Sequence, residues 1–186
     1  LPPKAIDTTL PIAVIHSTRR EIAVTQDHAD IPNIQRLHAY WQGLANGAVP
    51  ERSQLDPALI KALLPYICIV AFERAPFRVH YRLTGTKVDE FNGVNLTGTY
   101  LDQLIKTDQS GGGAAHLQAY YQRCWQTGAP CFSAYSWPTR SGGHLDVKFA
   151  MFPLKVNGAV AQAIAIEDWE YSPEPIVEEA LPLVRL

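Results

Sequence analysis

The stretch from His144 to Asp168, HLDVKFAMFPLKVNGAVAQAIAIED, decides the fold class. Leu145, Val147, Phe149 and Met151 alternate with Asp146, Lys148 and Ala150, the period of two that a half-buried strand requires. Asn157-Gly158 then supplies the strongest hairpin dipeptide in the chain, because both positions tolerate positive φ. Ala159 to Asp168 follows, apolar on both faces, which predicts a central strand. A strand from Cys131 to Thr139, with a turn at Ser141-Gly142-Gly143, completes a group of three.

Upstream, the pattern changes twice. Gly111-Gly112-Gly113 leads into a helix from Ala114 to Gln126, whose face is Leu117, Tyr120, Tyr121, Cys124 and Trp125, with Gly128 as its cap. Short helical pieces punctuated by Gly93 and Gly98 fill residues 85–108. Before them, Ile67 to Phe72 is an apolar, β-branched run. After the break at Ala75-Pro76, Phe77, Val79, Tyr81 and Leu83 alternate with Arg78, His80 and Arg82. Two such runs predict a hairpin.

Asp56-Pro57 predicts a capped helical segment over Ala58–Leu64, stopped by Pro65. Asp30 and Pro32 predict the start of another helix, ending near Gly47 and Pro50. Ile34, Leu37, Trp41, Leu44 and Ala48 recur at steps of three and four, a narrow apolar stripe. The stripe serves either the domain's own core or a homodimer seam, and Ile34, Leu37, Trp41 and Leu44 are taken as the candidate dimer interface. The chain divides into an N-terminal arm (1–29), in which Pro11–His16 and Glu21–Thr25 are candidate strands, a helical cap (30–65), a core (66–170) and a C-terminal tail (171–186).

Composition limits the function. Of 186 residues, 47% are hydrophobic and 18% charged, enough for a proper core and against disorder. The net charge is −2 and the basic residues are scattered, so no nucleic-acid footprint is expected. No apolar run reaches the roughly 18–20 residues that cross a bilayer, and no signal peptide is seen, so no membrane partner and a cytoplasmic location are expected. Cys68, Cys124 and Cys131 read as buried thiols of a reducing compartment rather than a disulfide frame.

The order strand, strand, short helices, longer helix, three strands is an α+β plan, and local sequence narrows it. Leu37-His38-Ala39-Tyr40-Trp41 through Leu44, Val49-Pro50-Glu51-Arg52-Ser53, Asp56-Pro57 and Leu63-Leu64-Pro65 come first. Tyr81-Arg82-Leu83-Thr84-Gly85-Thr86 and Gly93-Val94-Asn95-Leu96-Thr97-Gly98 follow. In that order these segments resemble a stand-alone bacterial (alphaproteobacterial-type) PAS domain family, over roughly Asp30 to Asp168. The resemblance implies a PAS-like five-stranded antiparallel sheet flanked by helices, with an N-terminal helical extension. It also implies a sensory or regulatory module that binds a small molecule and signals through a homodimer or a separate signalling protein. The Asp-x-Thr that ends many PAS domains is replaced here by Glu167-Asp168-Trp169-Glu170.

There is no GxSxG, no HExxH, no phosphate loop and no Cys/His cluster for metal. The family's haem sensors use a histidine of the longer helix, which makes His116 a candidate; a surface histidine is the plainer reading. Its flavin photosensors use a cysteine before that helix, where this chain has none, so a covalent flavin photocycle is not expected and no cofactor is assigned. Glu167 and Asp168 point to opposite faces of a strand and read as a solvated strand end. Arg82 is a candidate for holding a carboxylate, or for a salt bridge to Asp146 or Glu167. With it, Tyr81, Phe91, Tyr121, Trp125, Tyr135 and Phe149 are the candidate ligand-binding residues. An enzyme of the cone-shaped, nuclear-transport-factor-like type is the alternative, needing His80 or Asp146 in a cavity. A ligand-free adaptor with a filled core is the third reading.

Overall fold

A computed structural model describes residues 31–105, 112–138 and 144–172. The sheet has five antiparallel strands: β1 (Ile67–Arg74), β2 (Phe77–Thr84), β3 (Cys131–Pro138), β4 (His144–Val156) and β5 (Ala159–Ser172). Their order is β2-β1-β5-β4-β3, so β5 is central, as its two apolar faces require. β5 runs four residues beyond the expected end at Asp168, because β4 pairs with it down to His144↔Ser172. The turn between β4 and β5 is Asn157-Gly158, both at positive φ, the two-residue geometry that matches strand twist.

Each face of the sheet has its own cover. On the inner face, Cys68, Val70, Val79, Tyr81, Phe149, Met151, Ala163 and Ala165 pack under α2 (Thr86–Asn92), α3 (Leu101–Ile105) and α4 (Gly113–Thr127). α4 ends where Gly128 donates its N–H to the Cys124 carbonyl, 3.0 Å. On the outer face, Ile67, Ile69, Ala150, Phe152, Leu154, Ile164 and Ile166 pack under an N-terminal cap. The cap is α1 (Pro32–Leu44), a 3-10 turn at Arg52–Gln54 and a longer 3-10 segment at Pro57–Tyr66.

The cap differs from expectation in three ways. Its first helix begins at Pro32, with Ile31 at the cap position; Asp30 lies outside the described residues. The second segment is 3-10 rather than α, kinks at Ile60 and continues through Pro65 to Tyr66. Asp56 does cap it, accepting from the Ala58 N–H at 2.9 Å. Third, the apolar stripe of α1 is turned onto its own domain. Ile34, Leu37 and Trp41 are buried against the outer face of their own sheet, and Leu44 is partly buried. The outward positions Gln35, Arg36, Ala39 and Gln42 carry no comparable apolar stripe.

Polar bonds sew the cap down. Trp41 Nε1 donates to the Pro153 carbonyl at 2.8 Å, and Asn33 Nδ2 to Asp168 Oδ2 at 3.2 Å. Lys155 donates its N–H to the Pro50 carbonyl at 2.8 Å, and Gly158 its N–H to Glu51 Oε1 at 2.9 Å. The cap is therefore fixed to the β4–β5 hairpin from its turn as far as Asp168. The arm, its two candidate strands and the Ser141–Gly143 turn lie outside the described residues, as does the tail past Ser172.

Strict alternation in β2 fails at one point. Ile69 pairs with Leu83 but Val70 pairs with Tyr81, which leaves Arg82 as an extra residue, a β-bulge. The bulge turns Leu83 away from the face of Val79 and Tyr81. It joins Ile69 on the outer side.

Candidate ligand site

The inner face gathers five of the seven expected ligand residues but fills itself with them. Tyr81, Tyr121 and Phe149 are buried to 2% exposure or less, with Trp125 and Tyr135 packed partly buried against them. Phe77 stacks on Trp125 at 5.4 Å, Phe72 lies 6.2 Å from Tyr121, and Tyr120 meets Phe149 edge-on at 5.6 Å. These rings contact one another as a core does. The other two residues go elsewhere. Phe91 packs on Trp169, 5.0 Å between rings. Arg82 is exposed at the bulge and forms no ion pair with Asp146 or Glu167 among the described residues.

Polar groups do enter this core. Glu167 alternates with Asp168 as expected, yet it is buried at 4% exposure rather than solvated, opposite Phe149 on the inner face. Burial pushes its carboxyl up to about 7. Burial first, and the nearby Glu167 charge second, raise Tyr81 and Cys68 well above their usual values. The Tyr121 hydroxyl is buried with no hydrogen-bond partner among the described residues. His116 is not a free surface residue: its Nε2 lies 2.8 Å from Ser133 Oγ, and its ring packs on Tyr120 and Phe149. Cys124 and Cys131 share a thiol contact that raises the first and lowers the second. All three cysteines are free, as the sequence implies.

A pocket opens on the other side of the sheet. It measures about 390 Å³ and lies between the cap and the outer face. The cap contributes Leu55, Pro57, Ile60, Leu64 and Pro65, with Arg52 from the preceding turn. The sheet contributes Ile67, Ile69, Ile164 and the bulge-turned Leu83. The end of β2, the residue after it and the start of α2 contribute Thr84, Gly85 and Thr86. Leu83 is 45% exposed, and Leu59, a cap residue nearby in sequence, is 72% exposed.

Gly85 makes the pocket wall possible. A Cβ built there would lie 2.3 Å from the carbonyl oxygens of both Leu64 and Pro65. Its N–H donates to the Ile67 carbonyl at 2.9 Å, at the point where the cap runs into β1. Beside it, Thr84 Oγ1 donates to Asp89 at 2.6 Å, and the Thr84 N–H donates to Thr97 Oγ1 at 3.1 Å. These contacts join the Tyr81–Thr86 segment to the Gly93–Gly98 segment.

None of the seven expected ligand residues lines this pocket, and neither do His80 and Asp146. His80 stacks on Tyr100, 4.6 Å between rings, and Arg78 lies 3.6 Å above the same ring while pairing with Asp102. The pocket is not legible in the sequence because its walls come from segments that read as packing. The available signal was Arg52, a cation amid Leu55, Ile60 and Leu64.

Among the described residues no helix is long and apolar enough to cross a membrane, and no three His, Cys, Asp or Glu side chains cluster to hold a metal ion. Curated proteins give no match. Among solved structures, an RNA-binding light-oxygen-voltage receptor is similar over 65% of this chain, at 16% identity and a TM-score of 0.43. The aligned part spans about a third of that receptor, 35% of its length. A family model described as the PAS domain matches residues 29–165, from the start of the cap to the centre of β5. With the five-stranded sheet and its helical cover already in place, the chain belongs to the PAS domain family.

Proposed function

We propose that the protein is a sensory or regulatory module that takes a small apolar ligand between its N-terminal cap and the outer face of its sheet. The signal then passes to a separate protein or a second copy through the cap. The pocket of about 390 Å³ carries this reading; it lies within the range of small-molecule sites, and its walls are mostly aliphatic. A ligand with greater affinity for one packing of cap on sheet would shift the population toward it. The cap is suited to that role, since one end is pinned at Pro50–Glu51 and the other at Gly85.

The test uses freshly purified protein. Native mass spectrometry with an absorption spectrum reports a copurified molecule and the oligomeric state together. Titration with the apolar dye 8-anilinonaphthalene-1-sulfonate then reports the pocket. Leu83→Trp, which places a bulky ring at a half-exposed wall, is expected to block dye binding. Dye binding that is absent from the parent protein, or undiminished in the Leu83→Trp protein, contradicts the reading. A ligand-free adaptor is the second reading, favoured by the close packing of Tyr81, Tyr121 and Phe149 on the inner face. It predicts no bound molecule and no dye response.

A further inference from the structure

We propose that the ligand of the outer pocket is an aliphatic monocarboxylate, with its chain among the cap and sheet aliphatics and its carboxylate on Arg52. The proposal rests on the reading of the pocket given above and adds the chemical class.

The charge balance of the wall points to an anion. Of thirteen lining residues, Arg52 alone is ionisable, and no carboxylate lines the space. Arg52 forms no ion pair among the described residues. The adjacent Glu51 is engaged elsewhere, accepting from Gly158 across the cap–hairpin contact. Arg52 is part-buried at the wall, and a guanidinium beside an apolar cavity is completed by a planar anion, which it holds through two parallel hydrogen bonds.

The remaining polar atoms of the wall are mostly committed. Thr84 donates its N–H to Thr97 and its hydroxyl to Asp89, and Gly85 donates its N–H to Ile67. A ligand with several polar groups would find few partners there, and each unmatched group would be desolvated without compensation. One polar end is what the wall can satisfy. The body is read from shape chemistry: no aromatic side chain lines the pocket. Flat ligands gain from stacking on rings, whereas Leu55, Ile60, Leu64, Ile69, Leu83 and Ile164 offer only branched aliphatic contact.

Isothermal titration of the full chain with sodium hexanoate, sodium octanoate and octan-1-ol tests the proposal. Each added methylene is expected to tighten binding about fourfold, so octanoate should exceed hexanoate roughly fifteen-fold. Octanoate should bind at least about tenfold more tightly than octan-1-ol, the margin of a charge-assisted pair. Arg52→Gln should bring octanoate to the level of the alcohol and leave the alcohol unchanged. Arg52→Met, which keeps the apolar stem, should do the same. Equal affinity for octanoate and octan-1-ol, unaffected by either substitution, overturns the carboxylate assignment and leaves the pocket standing. Octanoate and octan-1-ol both failing to bind, or both binding the Leu83→Trp protein as they bind the parent, overturns the pocket and the ligand class together.

Discussion

Trp41 reaches across the outer face of the sheet and donates its indole N–H to the main-chain carbonyl of Pro153 at 2.8 Å. The ring is 4% exposed and lies 5.9 Å from the Phe152 ring. Trp41→Phe keeps most of the apolar surface but leaves a buried carbonyl without that donor, at a cost of about 1–3 kcal/mol. Trp41→Ala also empties the space and is expected to cost about 3–5 kcal/mol. Urea unfolding measures both. If Trp41 belonged to a dimer seam, these losses would depend on protein concentration; a concentration-independent midpoint is expected.

Gly85 bears on the cap in another way. An added methyl group would meet two main-chain oxygens that cannot turn aside. Gly85→Ala is therefore expected to push the Leu64–Pro65 end of the cap off the sheet, with a loss of about 1–3 kcal/mol. Hydrogen exchange should show faster exchange at the amides of residues 57–66 than at those of α4. Uniform protection in both regions would contradict the close approach.

The pH dependence of stability follows from Glu167. Its carboxyl is held at about 7 by burial, above its ordinary 4.5. A group raised in the folded chain contributes its full share of stability below the unfolded value, and that share is lost as pH rises through the folded one. At about 1.4 kcal/mol per factor of ten in proton affinity, the loss between pH 4.5 and 7 is on the order of 3 kcal/mol. His38, lowered by burial, acts in the opposite sense, losing stability as pH falls below 6.5. Comparing Glu167→Gln with the parent separates the two. The variant should gain relative stability from pH 5 to pH 8, read from denaturant midpoints. Parallel pH profiles would show that folding does not shift the Glu167 carboxyl.

At the β4–β5 turn, Gly158 sits at φ +82° with open space around its α-carbon. Gly158→Ala meets no side chain, so its effect is purely a backbone one. A loss of about 1–2 kcal/mol is expected from the left-handed conformation alone. Thermal unfolding measures it, and no change would exclude the positive φ.

Much of this fold was legible because its signals are local. The alternation of Leu145 to Met151, the Asn157-Gly158 turn and the two apolar faces of β5 each follow from side-chain period or backbone sterics. Partners across long distances were not legible. The stripe Ile34-Leu37-Trp41 announced a buried face, but a period cannot say whose surface buries it. Arg82 broke the alternation of β2, since a bulge is set by pairing with β1 rather than by β2 itself. Glu167 looked like a strand end because charge predicts exposure, and only the length of β5 puts it in the core. Similarly, the aromatic list found the right face but could not tell rings that line a space from rings that fill it.

The pairing of β1 with β5 has a consequence for how the chain comes together. Cys68 lies opposite Ala165, about a hundred residues away, so the centre of the sheet closes only once the last strand has been made. Until then β1 has an open edge, and Ile67 and Ile69 lack their partners Ile166 and Ile164. On the ribosome, the β1–β2 hairpin must wait for β5 with that edge unpaired.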